Sequence, residues 1–207
     1  VRIFIATSNR GKSREFREML QDQKLEWTDL TSQPDVAGVE ETGHTFRANA
    51  CIKAAHYATQ LNSWALADDS GLAVDALGGK PGVLSARWAQ VQGSGSGDVD
   101  NNATLLRQLA DIPDDRRTAR FVCVLALADP KGRIALTAQD AVEGVIRREA
   151  RGSNGFGYDP LFHVMQLNKS MAELEPAEKH AISHRGRALR RLRELMERLP
   201  DGWRHAS

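Results

Sequence analysis

Only two cysteines, Cys51 and Cys123, occur among 207 residues. Each sits within apolar sequence, so no disulfide framework of the kind that staples small secreted domains is available. The pair reads as buried thiols in a reducing compartment, and a cytoplasmic location is expected. Excess charge is also missing: 28 Lys and Arg stand against 27 Asp and Glu, a formal net charge of +1. A field that small does not hold a protein on a nucleic-acid backbone or an anionic bilayer, so neither partner is expected, and any bound anion must be gripped locally. No apolar run approaches the roughly 18–20 residues of a membrane span, and the start Val1-Arg2-Ile3-Phe4-Ile5 reads as a strand, not a signal peptide. With 17 Gly and 7 Pro the chain is neither collagen-like nor disordered. No internal repeat of roughly 20–50 residues is visible, which argues against solenoids and propellers.

What is present is globular: 41% hydrophobic and 27% charged residues supply a sizeable core. The length predicts one domain over residues 1–207, divided into two lobes. Ile3-Phe4-Ile5-Ala6 reads as a buried strand, residues 7–12 as a loop, and residues 13–20 as a helix with Phe16, Met19 and Leu20 inward. A second helix runs from near Gly43 to about Leu61. Turning about 100° per residue aligns Phe46, Ala50, Ala54, Tyr57 and Leu61, and Lys53 falls on the same stripe. Trp64-Ala65-Leu66-Ala67 reads as a short strand ending abruptly at Asp68-Asp69-Ser70-Gly71, with a turn-rich stretch beyond. Residues 93–97, Gly and Ser only, read as a mobile loop before a helix near Asn101 to Leu109. Residues 120–128 and 133–146 form a predicted hairpin around Asp129-Pro130-Lys131-Gly132. Pro176 opens a helical region that continues after Ser183-His184-Arg185 with Leu189, Leu192, Leu195, Met196 and Leu199 inward. Interleaved strands and helices place the chain in the α/β class.

Several places could carry chemistry. The loop at residues 7–12 joins a buried strand to a helix start, where backbone N–H groups and the helix dipole favour an anion, and Ser8, Asn9 and Lys12 add donors. It lacks the P-loop spacing, and a capped helix with a solvated lysine is the plainer reading. Asp68 and Asp69, adjacent at a buried strand end, repel one another and call for a cation or a proton. Mg²⁺, which takes oxygen ligands from one or two carboxylates and from phosphates, is the natural cation. Glu40-Glu41 could add a ligand, although acidic residues before a helix are favourable in any case. Lys53 either snorkels to water or neutralises phosphate charge. Phe156 and Tyr158, between glycines, either plug a turn or offer a ring to a flat base. His184 and Arg185 oppose the dipole at a helix start, which points to a role outside the helix. Arg187, Arg190, Arg191 and Arg193 read as a solvated face, with an RNA-binding strip as the weaker alternative.

Six motifs then fall in register: Thr7-Ser8-Asn9-x-Gly11-Lys12; Glu40-Glu41-Thr42-Gly43-x-Thr45-Phe46-x-x-Asn49-Ala50-x-x-Lys53-Ala54; Ala67-Asp68-Asp69-Ser70-Gly71-Leu72; Leu77-Gly78-Gly79-x-Pro81-Gly82-Val83-x-Ser85-Ala86-Arg87; Gly155-Phe156-Gly157-Tyr158-Asp159-Pro160; and Glu178-Lys179-x-Ala181-Ile182-Ser183-His184-Arg185. Together they resemble the inosine/xanthosine triphosphate pyrophosphatase family over nearly the whole chain. The resemblance implies an elongated mixed β-sheet flanked by helices, two lobes around a central active-site cleft, and a homodimer. It implies Mg²⁺-dependent hydrolysis of purine nucleoside triphosphates such as ITP, dITP and XTP to monophosphate and pyrophosphate. Thr7, Ser8, Asn9, Arg10, Gly11 and Lys12 would then hold the triphosphate, with Lys53 adding charge. Asp69 would be the general base and metal-linked carboxylate, Asp68 its partner, and Glu40 or Glu41 a metal ligand. Ser70 would touch the nucleotide, Phe156, Gly157, Tyr158 and Asp159 would pack base and sugar, and Lys179, His184 and Arg185 would read the base edge.

Two competitors remain at this level. A pyrimidine-nucleotide pyrophosphatase of the similarly folded Maf-like group would carry an arginine-rich first loop and a different acidic motif. A non-catalytic nucleotide or RNA binder would keep the cleft without turnover.

Overall fold

The computed structural model describes residues 2–20, 25–30, 36–200 and 203; Val1, at the head of the predicted first strand, lies outside them. Strand β1 (Arg2–Ala6) leads into α1 (Arg10–Met19), followed by β2 (Glu26–Asp29), α2 (Phe46–Leu61) and β3 (Trp64–Val74). β2 and β3 both run parallel to β1, one on each side, so that Ile3 lies opposite both Trp27 and Trp64. Two helices follow, α3 (Trp88–Val91) and α4 (Gly97–Gln108). The chain then forms β4 (Thr118–Ala128), β5 (Ile134–Ile146), β6 (Phe162–Val164) and β7 (Lys169–Ser170), before α5 (Pro176–Ile182) and α6 (His184–Met196). The sheet order is β2-β1-β3-β4-β5-β6-β7. Parallel pairs on the β1 side and antiparallel β5-β6 and β6-β7 pairs make it mixed, the predicted class.

By contacts the chain divides into two compact units. The first comprises Val1–Asp69, Cys123–Asp140 and Arg185–Ser207; the second comprises Ser70–Val122 and Ala141–His184. In the first unit the period-2 pleat of β1 sends Ile3 and Ile5 to a core with Phe16, Leu66, Leu125 and Leu192. Ala6 joins a second cluster with Ala50, Ala54, Ala65, Ala67 and Ala126. These alanines let α2 lie close on the sheet, with Lys53 buried along the same stripe. In the second unit Leu72, Leu105, Leu109, Phe121, Tyr158, Leu161 and Phe162 form the core.

Three sequence expectations change. β3 does not end at Ala67 but runs through Asp68 and Asp69 to Val74. The expected turn rested on repulsion between the two carboxylates, and ammonium groups of Lys12 and Lys53 compensate it. Residues 93–97 are tied down rather than loose: Ser94 N–H donates to Ala89 O at 2.9 Å, the Ser94 and Thr104 hydroxyls lie 2.7 Å apart, and Ser96 N–H donates to Asp100 Oδ2 at 2.8 Å. With these bonds α4 starts at Gly97, four residues before the predicted start. The hairpin turn is as read, with Asp129 Oδ1 accepting the N–H groups of Lys131 and Arg133.

Gly71 illustrates how tightly the second unit is built. A Cβ there would sit 2.4 Å from Ser85 Oγ and 2.7 Å from Gly82 O. That hydroxyl already accepts Leu72 N–H at 2.9 Å and donates to Gly82 O at 2.6 Å, so it cannot swing aside without losing a buried bond. Gly71→Ala is therefore expected to cost about 1–3 kcal/mol, a fall in Tm of roughly 2–12 °C. A thermal melt of the variant checks it, and an unchanged Tm would mean that the two segments part freely.

Candidate active site

The loop after β1 is shaped by its own side chains. Thr7 Oγ1 accepts Asn9 N–H at 3.2 Å, and Asn9 Oδ1 caps α1 by accepting Lys12 N–H at 3.0 Å. Ser8, Asn9 and Arg10 are exposed and Gly11 is half-buried. Lys12, in the first turn of α1, places Nζ 2.7 Å from Asp68 Oδ1.

Asp68 is the centre of a buried ionic cluster. Nε and Nη2 of Arg185 each lie 3.3 Å from its Oδ2, and Nη1 of Arg185 bonds Glu15 on α1. Burial alone would raise the Asp68 pKa, but Lys12, Arg185 and Lys53 outweigh it and hold the carboxyl well below the usual range. Asp68 is thus firmly an anion. Burial works against the Arg185 charge, yet Glu15 and Asp68 push its pKa upward. The Cys123 thiol, 3.8 Å from Asp68 Oδ2, is pushed up first by burial and then by that carboxylate, so it stays protonated.

Asp69 behaves differently from its neighbour. Its Oδ1 is 3.3 Å from Lys53 Nζ, and its Oδ2 is buried with no hydrogen-bond partner among the described residues. Burial raises its pKa; Lys53 and Lys12 pull it down, Glu41 and Asp68 add to the rise, and the net shift is upward. Lys53 also meets Glu41 Oε1 at 2.7 Å. Burial disfavours its charge, but Asp69, Asp68 and Glu41 overcome this and keep it an ammonium. Of the adjacent glutamates, Glu41 enters this cluster, whereas Glu40 is exposed. Asn49, fully buried on α2, accepts Gly43 N–H at 2.7 Å and so fixes the segment that presents Glu41.

In the ion pairs given by the described residues, three cations, Lys12, Lys53 and Arg185, face four carboxylates, Glu15, Glu41, Asp68 and Asp69, and these seven groups sum to one net negative charge. No group of three or more His, Cys, Asp or Glu among the described residues forms a metal cage. Two carboxylates, one with an unpartnered buried oxygen, instead fit a hard divalent cation that completes its shell with water or phosphate. The protonated Cys123 thiol is no ligand for a softer metal.

The other predicted residues lie in the second unit. Ser70 is half-buried in β3. Tyr158 is buried, its hydroxyl donating to Ser85 O at 2.9 Å. Its ring is spent in the core, so Phe156, half-buried, is the member of the aromatic pair with surface to offer. Asp159 Oδ2 accepts Phe156 N–H at 2.8 Å and Lys179 Nζ at 2.6 Å, and that ammonium lies 5.1 Å from the Phe156 ring centroid. Gly155 is required at φ +79°, since a Cβ would fall 2.1 Å from Asp159 Oδ2. His184 stacks on Phe121 at 4.9 Å. Arg185, expected at a base edge, is instead 2% exposed and engaged by carboxylates in the first unit.

Glu15 was not singled out from the sequence. The helical period sets it at the edge of the inward stripe, next to Met19 but about 100° from Phe16, and its buried partner Arg185 is 170 positions away.

Residues 3–195 match the Ham1 family. The chain is 50% identical over 193 residues to the dITP/XTP pyrophosphatase of Bacillus cereus, covering 93% of each chain. It is 48% identical over 199 residues to the protein of the same name in Desulforamulus reducens, covering 96% of this chain and 97% of that one. A solved HAM1 protein from Coxiella burnetii aligns with a TM-score of 0.85 at 42% identity, over 96% of this chain and 100% of that one. The structure of a nucleoside-triphosphatase / dITP/XTP pyrophosphatase from Mycobacterium abscessus gives 0.73 at 45% identity, over 93% and 98%. The matched span takes in α1, α2, β3 and α6, the elements that bring the buried carboxylates and their cations together, and the chain belongs to the Ham1 family.

Proposed function

We infer that this chain hydrolyses the α–β phosphoanhydride of non-standard purine nucleoside triphosphates, ITP, dITP and XTP, to monophosphate and pyrophosphate, clearing them from the nucleotide pool. The named activity of its relatives supports the reading. The structural observation that carries it is Asp69, a buried carboxylate with raised pKa, one oxygen on Lys53 and the other unpartnered among the described residues.

Water attacks the α-phosphorus, the new P–O bond forms as the bridging P–O bond breaks, and Asp69 takes the water proton. Lys53, holding Oδ1, orients the carboxylate for that transfer. Glu41 and Asp69 would hold Mg²⁺, which supplies charge neutralisation to the departing pyrophosphate. A carboxylate has about four lone-pair sites, so Asp69 can serve a cation and accept a proton at different ones. Residues 7–12, with exposed Ser8 and Arg10 at the α1 N-terminus, bind the phosphate tail, and Lys12 contributes charge while docked on Asp68. As the family resemblance implies, Phe156 packs against the purine, and Ser70, Gly157, Asp159, Lys179 and His184 contact base and sugar. Arg185 is assigned to holding Asp68. A donor facing the 6-oxo group accepts hypoxanthine or xanthine, whereas the adenine amino group leaves two donors opposed, at about 1–3 kcal/mol.

Pyrophosphate release from ITP, XTP, dITP, ATP, GTP, UTP and dTTP, with and without Mg²⁺, tests this. Turnover of ITP is expected to exceed that of ATP by roughly 5- to 150-fold, to vanish with EDTA and to return with Mg²⁺. Equal turnover of ATP and ITP would remove the specificity, and no turnover of any nucleotide would leave a binding module. In keeping with the family resemblance we also propose that the chain works as one pyrophosphatase domain in a cytoplasmic homodimer, which light scattering reads directly. Among the described residues no helix is long and apolar enough to cross a membrane.

A further inference from the structure

Two polar side chains on α4 take no part in the reaction described above, yet both close on the same residue. Asp98 Oδ2 accepts the N–H of Gly157 at 2.7 Å, and Asn102 Nδ2 donates to the Gly157 carbonyl at 2.9 Å. The pair stand at i and i+4, one above the other on one helix face, and so hold both backbone polar groups of a single glycine. Gly157 has φ +63°, and nothing lies within 4 Å of where its Cβ would be, so the left-handed backbone and not crowding calls for glycine there. Its neighbours are unequal. Tyr158 is anchored in the core with its hydroxyl on Ser85 O. Phe156 is half-buried, and its own N–H is held by Asp159. The α4 side chains therefore hold the residue between a ring anchored in the core and the half-buried Phe156.

We propose that Asp98 and Asn102 are positioning residues for the purine base: by clamping Gly157 they set the orientation of the Phe156 ring on which the base packs. The proposal rests on Phe156 being the base platform. The Asp98 bond to the Gly157 N–H is exposed, so water can replace it, whereas the Asn102 bond to the carbonyl is half-buried. The clamp thus contributes orientation more than folding free energy. Ordering the ring before the nucleotide arrives lowers the entropy lost on binding, and that gain is the same in ground and transition states. The signature is a change in KM with kcat preserved. The Gly and Ser bonds that hold residues 94–96 to α3 and α4 fix the turn from which Asp98 projects.

The test is the Asp98→Ala/Asn102→Ala enzyme against the parent and against Asp98→Asn, which keeps an acceptor oxygen. The double variant is expected to raise KM for ITP by roughly 3- to 10-fold, with kcat within about twofold and Tm nearly unchanged. Asp98→Asn should recover most of the loss. Calorimetric Kd for IMP reads the same difference without turnover and should weaken in parallel. Unchanged KM and IMP affinity would overturn the clamp, as would KM, kcat and Tm deteriorating together without rescue by Asp98→Asn. A parent enzyme that fails on ITP would overturn the function itself, a result visible without any substitution, while IMP binding still decides the clamp.

Discussion

Asp69→Asn is expected to slow pyrophosphate release from ITP by about 10²–10⁴-fold, the range that a positioned general base contributes, while leaving Tm nearly unchanged. The substitution is isosteric, and the amide oxygen can still accept from Lys53, which keeps Glu41 as its second partner. The position of Oδ2 carries no hydrogen bond among the described residues, so none is lost there. The group of seven charges changes from one net negative to neutral, and a carboxylate whose ionised form is disfavoured by burial is removed. Nothing in that exchange threatens the fold. What disappears is the only group in the proposed reaction that takes the water proton. Parallel assays of pyrophosphate release and thermal unfolding separate the outcomes: full activity removes Asp69 as the base, and a collapse of Tm makes it a structural residue.

The behaviour of neighbouring residues explains why some of the site was legible in the sequence and some was not. Lys53 stood out because a helical period predicts its burial from residues within a few turns, and α2 buries it. The loop of residues 7–12 was legible because strand, cap and helix start are local signals, and Asn9 caps as such a residue should. Asp68-Asp69 was misread as a strand end because its compensation is remote. Lys12 arrives from 56 positions upstream and Arg185 from 117 downstream, separations that no window of the sequence spans. The same remoteness hid Glu15 and the burial of Arg185 between two carboxylates. The Gly and Ser run of residues 93–97 failed for another reason: composition that makes flexible linkers also makes tight helix entries, and Asp100 decides between them. Phe156 and Tyr158 look equivalent in the motif, but only tertiary packing shows that one ring faces the core.

Arg185→Leu decides between the two roles that this arginine has been given. If it holds Asp68 and Glu15, removing it leaves two buried carboxylates without their shared cation, and breaking such a pair costs about 3–5 kcal/mol. For a chain of this length that is a fall in Tm of roughly 6–20 °C. Activity should fall with it, because Lys12 and Asp68 lose the partner that fixes them, but ITP and ATP should suffer alike, leaving their ratio unchanged. Restoring balance should restore stability: Glu15→Gln in the Arg185→Leu background removes one of the stranded charges, so the double variant should be more stable than Arg185→Leu alone. A double-mutant cycle measures that coupling directly. A base-reading arginine makes the opposite forecast, with Tm preserved, the ITP:ATP ratio narrowed and no coupling to Glu15. The first pattern follows from an arginine only 2% exposed between two carboxylates; the second would require that guanidinium to leave both of them when the nucleotide binds.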